Sequence, residues 1–308
     1  MASHTAKLTP EQAEALRGIL AKRDFESAEV PHAVFSYKRP KLALTWYKSG
    51  KLLIQGKGTQ EFVEFTLEPE LLGQAAFADA LDAQPEQLEP RLGVDESGKG
   101  DFFGPLVVAG VYVNEPVARA LDGLGVKDSK AIASDKKIAA LAKGIRDMPG
   151  CVYSVVPIGN VSYNRLHQKM RNVNKILAWG HARVIENLLG QRDRMNPAPL
   201  RAISDQFARS KATIQSALME EGRQLKLVQM HKAESDIAVA AASILARDLF
   251  VQRLSALGRE FDLELPKGAS SKVDAAGAAF LKKHGMDKLG QAAKLHFRTT
   301  QKVQASLL

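Results

Sequence analysis

The sequence predicts an α/β protein in which a small α+β domain precedes a mixed β-sheet flanked by helices. The chain has 308 residues, which suits a small module followed by a larger domain. The segment 69–90 is rich in Ala, Glu, Gln and Pro and interrupts regular patterns. After it, short apolar runs alternate with amphipathic stretches, as strands and helices of one sheet do. We therefore predict domains at 1–84 and 92–308, with a linker at 85–91.

The N-terminal domain is predicted to contain a helix that starts at 9–12, followed by strands. Residues 9–12, Thr-Pro-Glu-Gln, form a capping box with proline at the first helical position. Residues 42–47 alternate apolar and other side chains, as a strand with one buried face does. Ser-Gly at 49–50 predicts a turn into a second strand at 52–54. Residues 62–65 predict a further strand.

The second domain alternates strands and helices along the chain. The predicted strands are 92–95, 106–113, 152–157, 200–204 and 225–230. The predicted helices are 135–146, 174–189, 210–221, 236–257 and 275–284. This order favours helices packed on a mixed sheet.

The composition favours a polyanionic partner, and it disfavours a disulfide-bonded, zinc-binding or membrane-spanning protein. The formal net charge is +9 and the isoelectric point is about 9.5, which fits nucleic acid, although a merely basic protein fits equally well. The single cysteine, Cys151, cannot form an internal disulfide, and there is no Cys/His zinc pattern. We expect a buried thiol and a cytoplasmic protein. We find no signal peptide and no run of about 18 apolar residues, so no membrane span is expected.

Carboxylates stand at the ends of predicted strands. Asp95 and Glu96 follow the first strand of the second domain, Asp205 follows the fourth, and Glu234 and Asp236 follow the fifth. Gathered at one sheet edge, such groups would form an all-oxygen site that selects Mg²⁺ or Mn²⁺. Two ions about 4 Å apart could activate water and stabilise the leaving oxygen of a phosphodiester. Each group alone is more often a solvent-facing cap, so the joint pattern carries the prediction.

Two glycines follow the first carboxylate pair. Neighbouring residues on a regular strand face opposite sides of the sheet. Gly98 and Gly100 favour a backbone that turns sharply, so Asp95 and Glu96 could both approach one site.

These motifs resemble type 2 ribonucleases H, and ribonuclease HIII among them. Residues 95–100, Asp-Glu-Ser-Gly-Lys-Gly, are similar to the D-E-x-G-[RK]-G signature of that family, with Ser97 where alanine is more usual. Residues 101–106 resemble the HIII rather than the HII kind. The resemblance covers about 92–297 and includes Lys127-Asp128-Ser129-Lys130, Asn172-Val173-Asn174, Ser204-Asp205-Gln206-Phe207, Lys232-Ala233-Glu234-Ser235, Ala240-Ala241-Ala242-Ser243-Ile244-Leu245-Ala246-Arg247, Lys267-Gly268-Ala269 and Lys294-Leu295-His296-Phe297.

The resemblance implies both a fold and a reaction. It implies an RNase H-like second domain and a TBP-like, substrate-binding first domain. It implies hydrolysis of the RNA strand of RNA–DNA hybrids by two Mg²⁺ ions, with Mn²⁺ as a substitute, to leave 5′-phosphate and 3′-hydroxyl ends. Its acidic quartet corresponds to Asp95, Glu96, Asp205 and Glu234, with Asp236 as the alternative fourth carboxylate. No protein partner is implied, and we expect a monomer.

Further residues are candidates for substrate contacts. The resemblance implies that the turn 97–100 (Ser97, Gly98, Lys99 and Gly100) contacts the ribose 2′-hydroxyl. Lys130 belongs to a basic cluster that fits either a phosphate path or a solvated helix face. Asn172 and Asn174, like Tyr163 and Asn164, could contact the nucleic-acid backbone or be ordinary loop residues.

The scattered histidines lack the spacing of metal ligands. We interpret His167, His181, His231 and His296 as structural, and we expect only His231 to lie near the site.

Two other functions stay open at this point. One is excision of single ribonucleotides embedded in DNA, as in HII relatives, which recognise the RNA–DNA junction with a tyrosine near the C-terminal side of the site. No tyrosine follows Glu234 in this chain, which favours the HIII behaviour. The other is a non-catalytic hybrid- or DNA-binding protein, which would have no need of carboxylates facing phosphates.

Overall fold

The structure is a computed structural model whose chain separates into two compact units, Met1–Ala83 and Gln84–Leu308. It describes residues 3–21, 25–63, 66–67, 87–127, 129, 132–205, 217, 222–230 and 233–305. Within these ranges, no helix is long and apolar enough to cross a membrane.

The first unit is an antiparallel sheet with a helix packed on one face. Its strands are β1 (Ser3–Lys7), β2 (Glu26–Ser27), β3 (Ala33–Arg39), β4 (Leu42–Tyr47) and β5 (Lys51–Gln55), in the order β1-β5-β4-β3-β2. Its helices are α1 (Pro10–Ala21) and the short α2 (Thr59–Phe62). Leu16 and Leu20 of α1 share one core with Leu44 and Ile54 of the sheet.

The capping box at the start of α1 is confirmed. The Thr9 amide donates to Gln12 Oε1 over 2.9 Å, and the Gln12 amide donates to Thr9 Oγ1 over 3.3 Å. The predicted strand at 62–65 is wrong at Phe62, which ends α2 and is buried in the core. Residues 64 and 65 lie outside the described part of the chain. An apolar run this short fits a buried helical turn as well as a strand.

The second unit is built on a mixed sheet in the order β10-β9-β6-β7-β8. The strands are β6 (Arg91–Ser97), β7 (Leu106–Val113), β8 (Val152–Ile158), β9 (Arg201–Asp205) and β10 (Lys226–Met230). β6, β7 and β8 pair antiparallel, whereas β6, β9 and β10 run parallel. The five predicted strands of this unit are confirmed.

Helices flank this sheet. They are α3 (Glu115–Gly123), α4 (Asp135–Asp147), α5 (Asn160–Met170), α6 (Val173–Leu189), α7 (Ile237–Glu260), α8 (Ser271–His284), α9 (Met286–Ala292) and α10 (Arg298–Ala305). Four predicted helices correspond to α4, α6, α7 and α8, although α8 begins four residues before the expected start. The predicted helix 210–221 lies outside the described residues apart from a turn at Ala217.

Helices α6 and α7 cover opposite faces of the sheet, and glycines let them approach closely. A Cβ on Gly93 of β6 would lie 2.2 Å from the Ala238 carbonyl carbon of α7. A Cβ on Gly110 of β7 would lie 2.5 Å from Val184 Cγ1 of α6. We call these sides the α7 face and the α6 face. Because side chains alternate along a strand, each residue of β6 is thereby assigned to one face.

We predict that Gly93→Ala destabilises the protein by about 1–3 kcal/mol or more, because the added methyl group meets the α7 backbone rather than a side chain that can move. Urea unfolding measures the loss. The matched control is Gly123→Ala, at the exposed end of α3, where a Cβ meets nothing within 4 Å. Equal unfolding midpoints for the two variants would contradict the close α7–β6 packing.

Candidate active site

The ends of β6 and β9 border a cleft of about 440 Å³ in the second unit. Asp95, Glu96 and Asp205 line it, together with the turn 97–100. Val94 of β6 is paired with Ser204 of β9 in parallel register. Asp95 and Asp205 therefore occupy matching positions where two neighbouring strands end.

The two adjacent carboxylates reach the cleft from opposite faces of β6. Asp95 and Glu96 both lie within the regular strand, paired with Ala109 and Val108 of β7. Asp95 shares the α7 face with Gly93, and Glu96 shares the α6 face with Val94. The sharp turn begins only at Gly98, where φ is +93°. The expectation that a turn brings the pair together is therefore wrong, since both groups line the cleft from within β6, just beyond the last residue that pairs with β9.

The Asp95 and Glu96 carboxylates repel each other. Burial, and after it the negative charge of Glu96, together raise the pKa of Asp95 to about 7. Three contacts lower the pKa of Asp95 without cancelling this rise. They are hydrogen bonds from the Ser243 hydroxyl of α7 and from the Glu96 backbone amide, and the charge interaction with His181. A cation placed between the two groups would remove this repulsion.

Glu96 is held by a buried histidine that the sequence interpretation treated as structural. His181 Nε2 lies 3.0 Å from Glu96 Oε2, and its Nδ1 lies 3.2 Å from Ser204 Oγ. Lys99 Nζ lies 3.7 Å from the other oxygen, Oε1. His181 stands on the buried stripe of α6, where a lone polar residue needs a partner, and that was the available signal. His231, which we expected near the site, lies outside the described residues.

The turn that follows the carboxylates depends on Gly98. A Cβ at this position would lie 2.2 Å from the Pro105 carbonyl oxygen and 2.9 Å from the Phe250 ring. The left-handed φ and the lack of space both require glycine here.

The C-terminal motifs of the resemblance brace the loop after this turn. Asp101 Oδ1 accepts from the Gly268 amide over 2.6 Å. The buried Lys294 Nζ donates to the carbonyl oxygens of Asp101 and Gly104, over 2.8 and 2.6 Å. Burial lowers the pKa of Lys294 to about 7, and Asp101 opposes that change. Asn160 also donates to the Gly104 carbonyl, over 2.8 Å. The sequence interpretation assigned none of these roles.

Cations line the same cleft as the carboxylates. Arg247 of α7 and Lys267 both contact Asp135, with Arg247 Nη2 3.0 Å from Asp135 Oδ1. Arg247 also donates to the carbonyl oxygens of Ser129 and Ile132. Lys99 adds a third positive charge, which is about as exposed as Lys267 and more exposed than Arg247. Such groups attract phosphate.

Other predicted contact residues do not line the cleft. Asn172 caps α6, since its Oδ1 accepts from the Asn174 amide over 2.8 Å, and Asn174 lies in the first turn. Tyr163 is fully buried, and Asn164 donates to the Gly290 and Ala293 carbonyls, so both are structural. Lys130 lies outside the described residues.

The structure separates the two candidates for the fourth carboxylate. The buried Asp236 caps α7 through the Ala238 amide, as expected, and its Oδ2 accepts from Arg91 Nε over 2.7 Å. Arg91 begins β6, four residues before Asp95, and is fully buried. Glu234 lies in a half-buried 3₁₀ turn and is not among the cleft-lining residues.

The described residues do not form a closed metal-binding cluster. Among them, no three His, Cys, Asp or Glu side chains are close enough together to hold one ion. Asp95, Glu96 and Asp205 place carboxylate oxygens along the same open cleft. This chemistry suits a hard divalent cation rather than zinc.

Comparison with known proteins identifies the family. Residues 92–300 match the model of the Ribonuclease HII family, and residues 4–72 match a domain of unknown function, DUF3378. A ribonuclease HIII from Chlamydia pneumoniae is 43% identical over 300 residues, 96% of each chain. The chain belongs to the type 2 ribonuclease H family, in its ribonuclease HIII group. It is accordingly an endoribonuclease that hydrolyses phosphodiester bonds.

Solved structures of the same group confirm the fold. Bst-RNase HIII in complex with Mn²⁺ superimposes with a TM-score of 0.66 at 32% identity, covering 99% of both chains. Aquifex aeolicus RNase H3 gives a TM-score of 0.56 at 25% identity, covering 96% of this chain and 100% of its own. The predicted RNase H-like mixed sheet with a small N-terminal α+β domain is confirmed.

We predict opposite effects for substitutions at the two candidate positions. Asp236→Asn leaves the buried Arg91 without its charged partner and should cost about 3–5 kcal/mol, more than the ~1 kcal/mol of a lost helix cap alone. Glu234→Gln should change stability little and remove most of the activity. Thermal melting measures the stability of each variant, and cleavage is measured well below both melting temperatures. If Asp236→Asn is folded but inactive while Glu234→Gln is active, the fourth carboxylate of the site is Asp236 rather than Glu234.

Proposed function

We propose that this protein cuts the RNA strand of RNA–DNA hybrids in the cleft at the ends of β6 and β9. The observation that carries the proposal is the Asp95–Glu96 pair, in which burial and mutual repulsion raise the pKa of Asp95 to about 7. Such a pair is poorly stable when empty and well suited to a divalent cation. Asp205 in the same cleft adds a third oxygen ligand.

We propose that Asp95, Glu96 and Asp205 hold two Mg²⁺ ions, for which Mn²⁺ can substitute, with Glu234 as the fourth carboxylate. A Mn²⁺ complex of the related Bst-RNase HIII supports this choice of ion. When bound, the ions would supply an activated water and stabilise the leaving oxygen, which leaves 5′-phosphate and 3′-hydroxyl ends. The chain itself holds the carboxylates at rigid strand ends and places cations beside them.

Substrate recognition is proposed for the elements around the carboxylates. The turn of Ser97, Gly98, Lys99 and Gly100 would read the ribose 2′-hydroxyl, because Gly98 lets the backbone approach closely. Arg247 and Lys267, with Lys99, would contact phosphates.

More distant contacts and the biological setting extend the proposal. Lys130, Asn172 and Asn174 remain proposed contacts farther along the substrate. The N-terminal domain, 1–84, which the linker 85–91 joins to the catalytic domain, 92–308, would bind the hybrid. We propose a cytoplasmic monomer that acts without a protein partner.

The experiment compares four duplexes: RNA–DNA, RNA–RNA, DNA–DNA, and DNA with one embedded ribonucleotide. We predict cleavage of the RNA–DNA hybrid alone, because contacts to several consecutive 2′-hydroxyls would be lost at a single ribonucleotide, each at about 1–3 kcal/mol.

Asp95→Asn should abolish cleavage and retain hybrid binding, since the carboxylate binds metal rather than the strand. The control is Glu115→Gln, on the exposed surface of α3.

The outcomes separate the alternative functions. Efficient incision beside one embedded ribonucleotide would favour the HII-like activity. Tight hybrid binding without any cleavage by the wild-type protein would favour a non-catalytic binder. Near wild-type cleavage by a folded Asp95→Asn variant would remove Asp95 from the site.

A further inference from the structure

The Glu96 carboxylate is held from the α6 face by a buried hydrogen-bonded chain. His181 is 1% exposed and Glu96 is 11% exposed, so water does not compete strongly for the 3.0 Å contact between them. Glu96 Oε2 is engaged by His181, whereas Oε1 lies on the side of Lys99, which lines the cleft. The two carboxylate oxygens therefore have different surroundings.

The hydrogen positions on the imidazole follow from its two neighbours. A bare Nε2 would place its lone pair against a carboxylate oxygen, so Nε2 carries a hydrogen and donates to Glu96 Oε2. Nδ1 faces Ser204 Oγ over 3.2 Å, and that hydroxyl can donate to it or to the Asp205 carbonyl, 3.1 Å away. In either arrangement, the hydrogen on Nε2 points to Glu96.

The position of His181 is fixed by the elements around it. Gly180, its neighbour in α6, packs so tightly that a Cβ there would lie 2.8 Å from Cγ2 of Val108, the residue of β7 that pairs with Glu96. Ser204 immediately precedes Asp205 in β9. The chain from Ser204 through His181 to Glu96 therefore joins the ends of the two strands that carry the carboxylates.

We propose that His181 is a positioning residue that fixes the Glu96 side chain so that its Oε1 oxygen is directed to the metal ions in the cleft. The proposal rests on the function proposed above, because it takes Glu96 as a metal ligand. His181 itself touches neither metal nor substrate. Its loss should therefore weaken metal binding and turnover while leaving the KM for the hybrid unchanged.

Two nearly isosteric substitutions separate the hydrogen bond from the volume of the side chain. His181→Gln keeps an N–H donor at a similar reach, whereas His181→Met fills a similar space without one. We expect His181→Met to weaken Mn²⁺ binding and lower kcat, each on the order of tenfold to a hundredfold, the usual effect of losing a hydrogen bond to a metal ligand. His181→Gln should stay within about threefold of wild type, because its donor is kept.

Titration calorimetry with Mn²⁺ in the absence of substrate is the primary measurement, followed by kcat and KM at saturating Mn²⁺. Asp95→Asn serves as the calibration, because it should lose Mn²⁺ binding at this site. A wild-type protein that binds no Mn²⁺ would contradict the proposed function itself. If the wild type binds Mn²⁺ and His181→Met has the same Mn²⁺ affinity and the same kcat, only the role of His181 is contradicted.

The remaining outcomes are also decisive. A His181→Gln variant as weak as His181→Met would mean that imidazole shape, not the donated hydrogen, matters, and would overturn the proposal. If His181→Met does not fold, Ser204→Ala replaces it, since that change keeps the imidazole and removes its hydroxyl partner. A smaller loss of Mn²⁺ affinity in Ser204→Ala would support the proposal, and unchanged affinity would overturn it.

Discussion

The repulsion between Asp95 and Glu96, two neighbouring carboxylates at the end of one strand, is the constraint on which the rest of the second unit depends. Burial makes the charge on Asp95 costly, and the charge on Glu96 adds to that cost. Contacts on both faces of the sheet offset part of this cost. The Ser243 hydroxyl of α7 lies beside Asp95, and the His181 imidazole of α6 lies beside Glu96. A bound cation would stabilise both carboxylates, because its positive charge would offset their repulsion.

The packing of the second unit can be understood as the means of holding that pair. Gly93 brings the α7 backbone against β6, and the buried Arg91–Asp236 ion pair anchors the start of α7 to the start of the same strand. Removing either partner of such a pair leaves a buried charge uncompensated. The loop after the carboxylates is fixed by Lys294 and Asp101, which are distant in sequence. The site is therefore set by elements from most of the catalytic unit.

The strands and the first carboxylates could be predicted because their signals are local. Apolar runs mark β6 to β10, and Asp95 and Asp205 stand visibly at strand ends. The partner of Asp236 could not be foreseen, because Arg91 is 145 residues away and no local pattern joins them. The expectation that His231 alone lies near the site missed His181 for a similar reason, since the contact between His181 and Glu96 arises only when α6 packs on the sheet. Phe62 was misassigned because a short apolar run suits a buried helical turn equally well.

The most direct test of this account is the thermal stability of metal-free wild type and Asp95→Asn as a function of pH. The ordinary pKa of an aspartate side chain is 3.8, and that of Asp95 in the folded protein is about 7. Relative to Asp95→Asn, the wild type should therefore lose stability as the pH rises between these values. We expect Asp95→Asn to melt above wild type at about pH 8, with a difference that shrinks toward about pH 4. A difference that is constant with pH, or an Asp95→Asn variant less stable than wild type at about pH 8, would contradict the account.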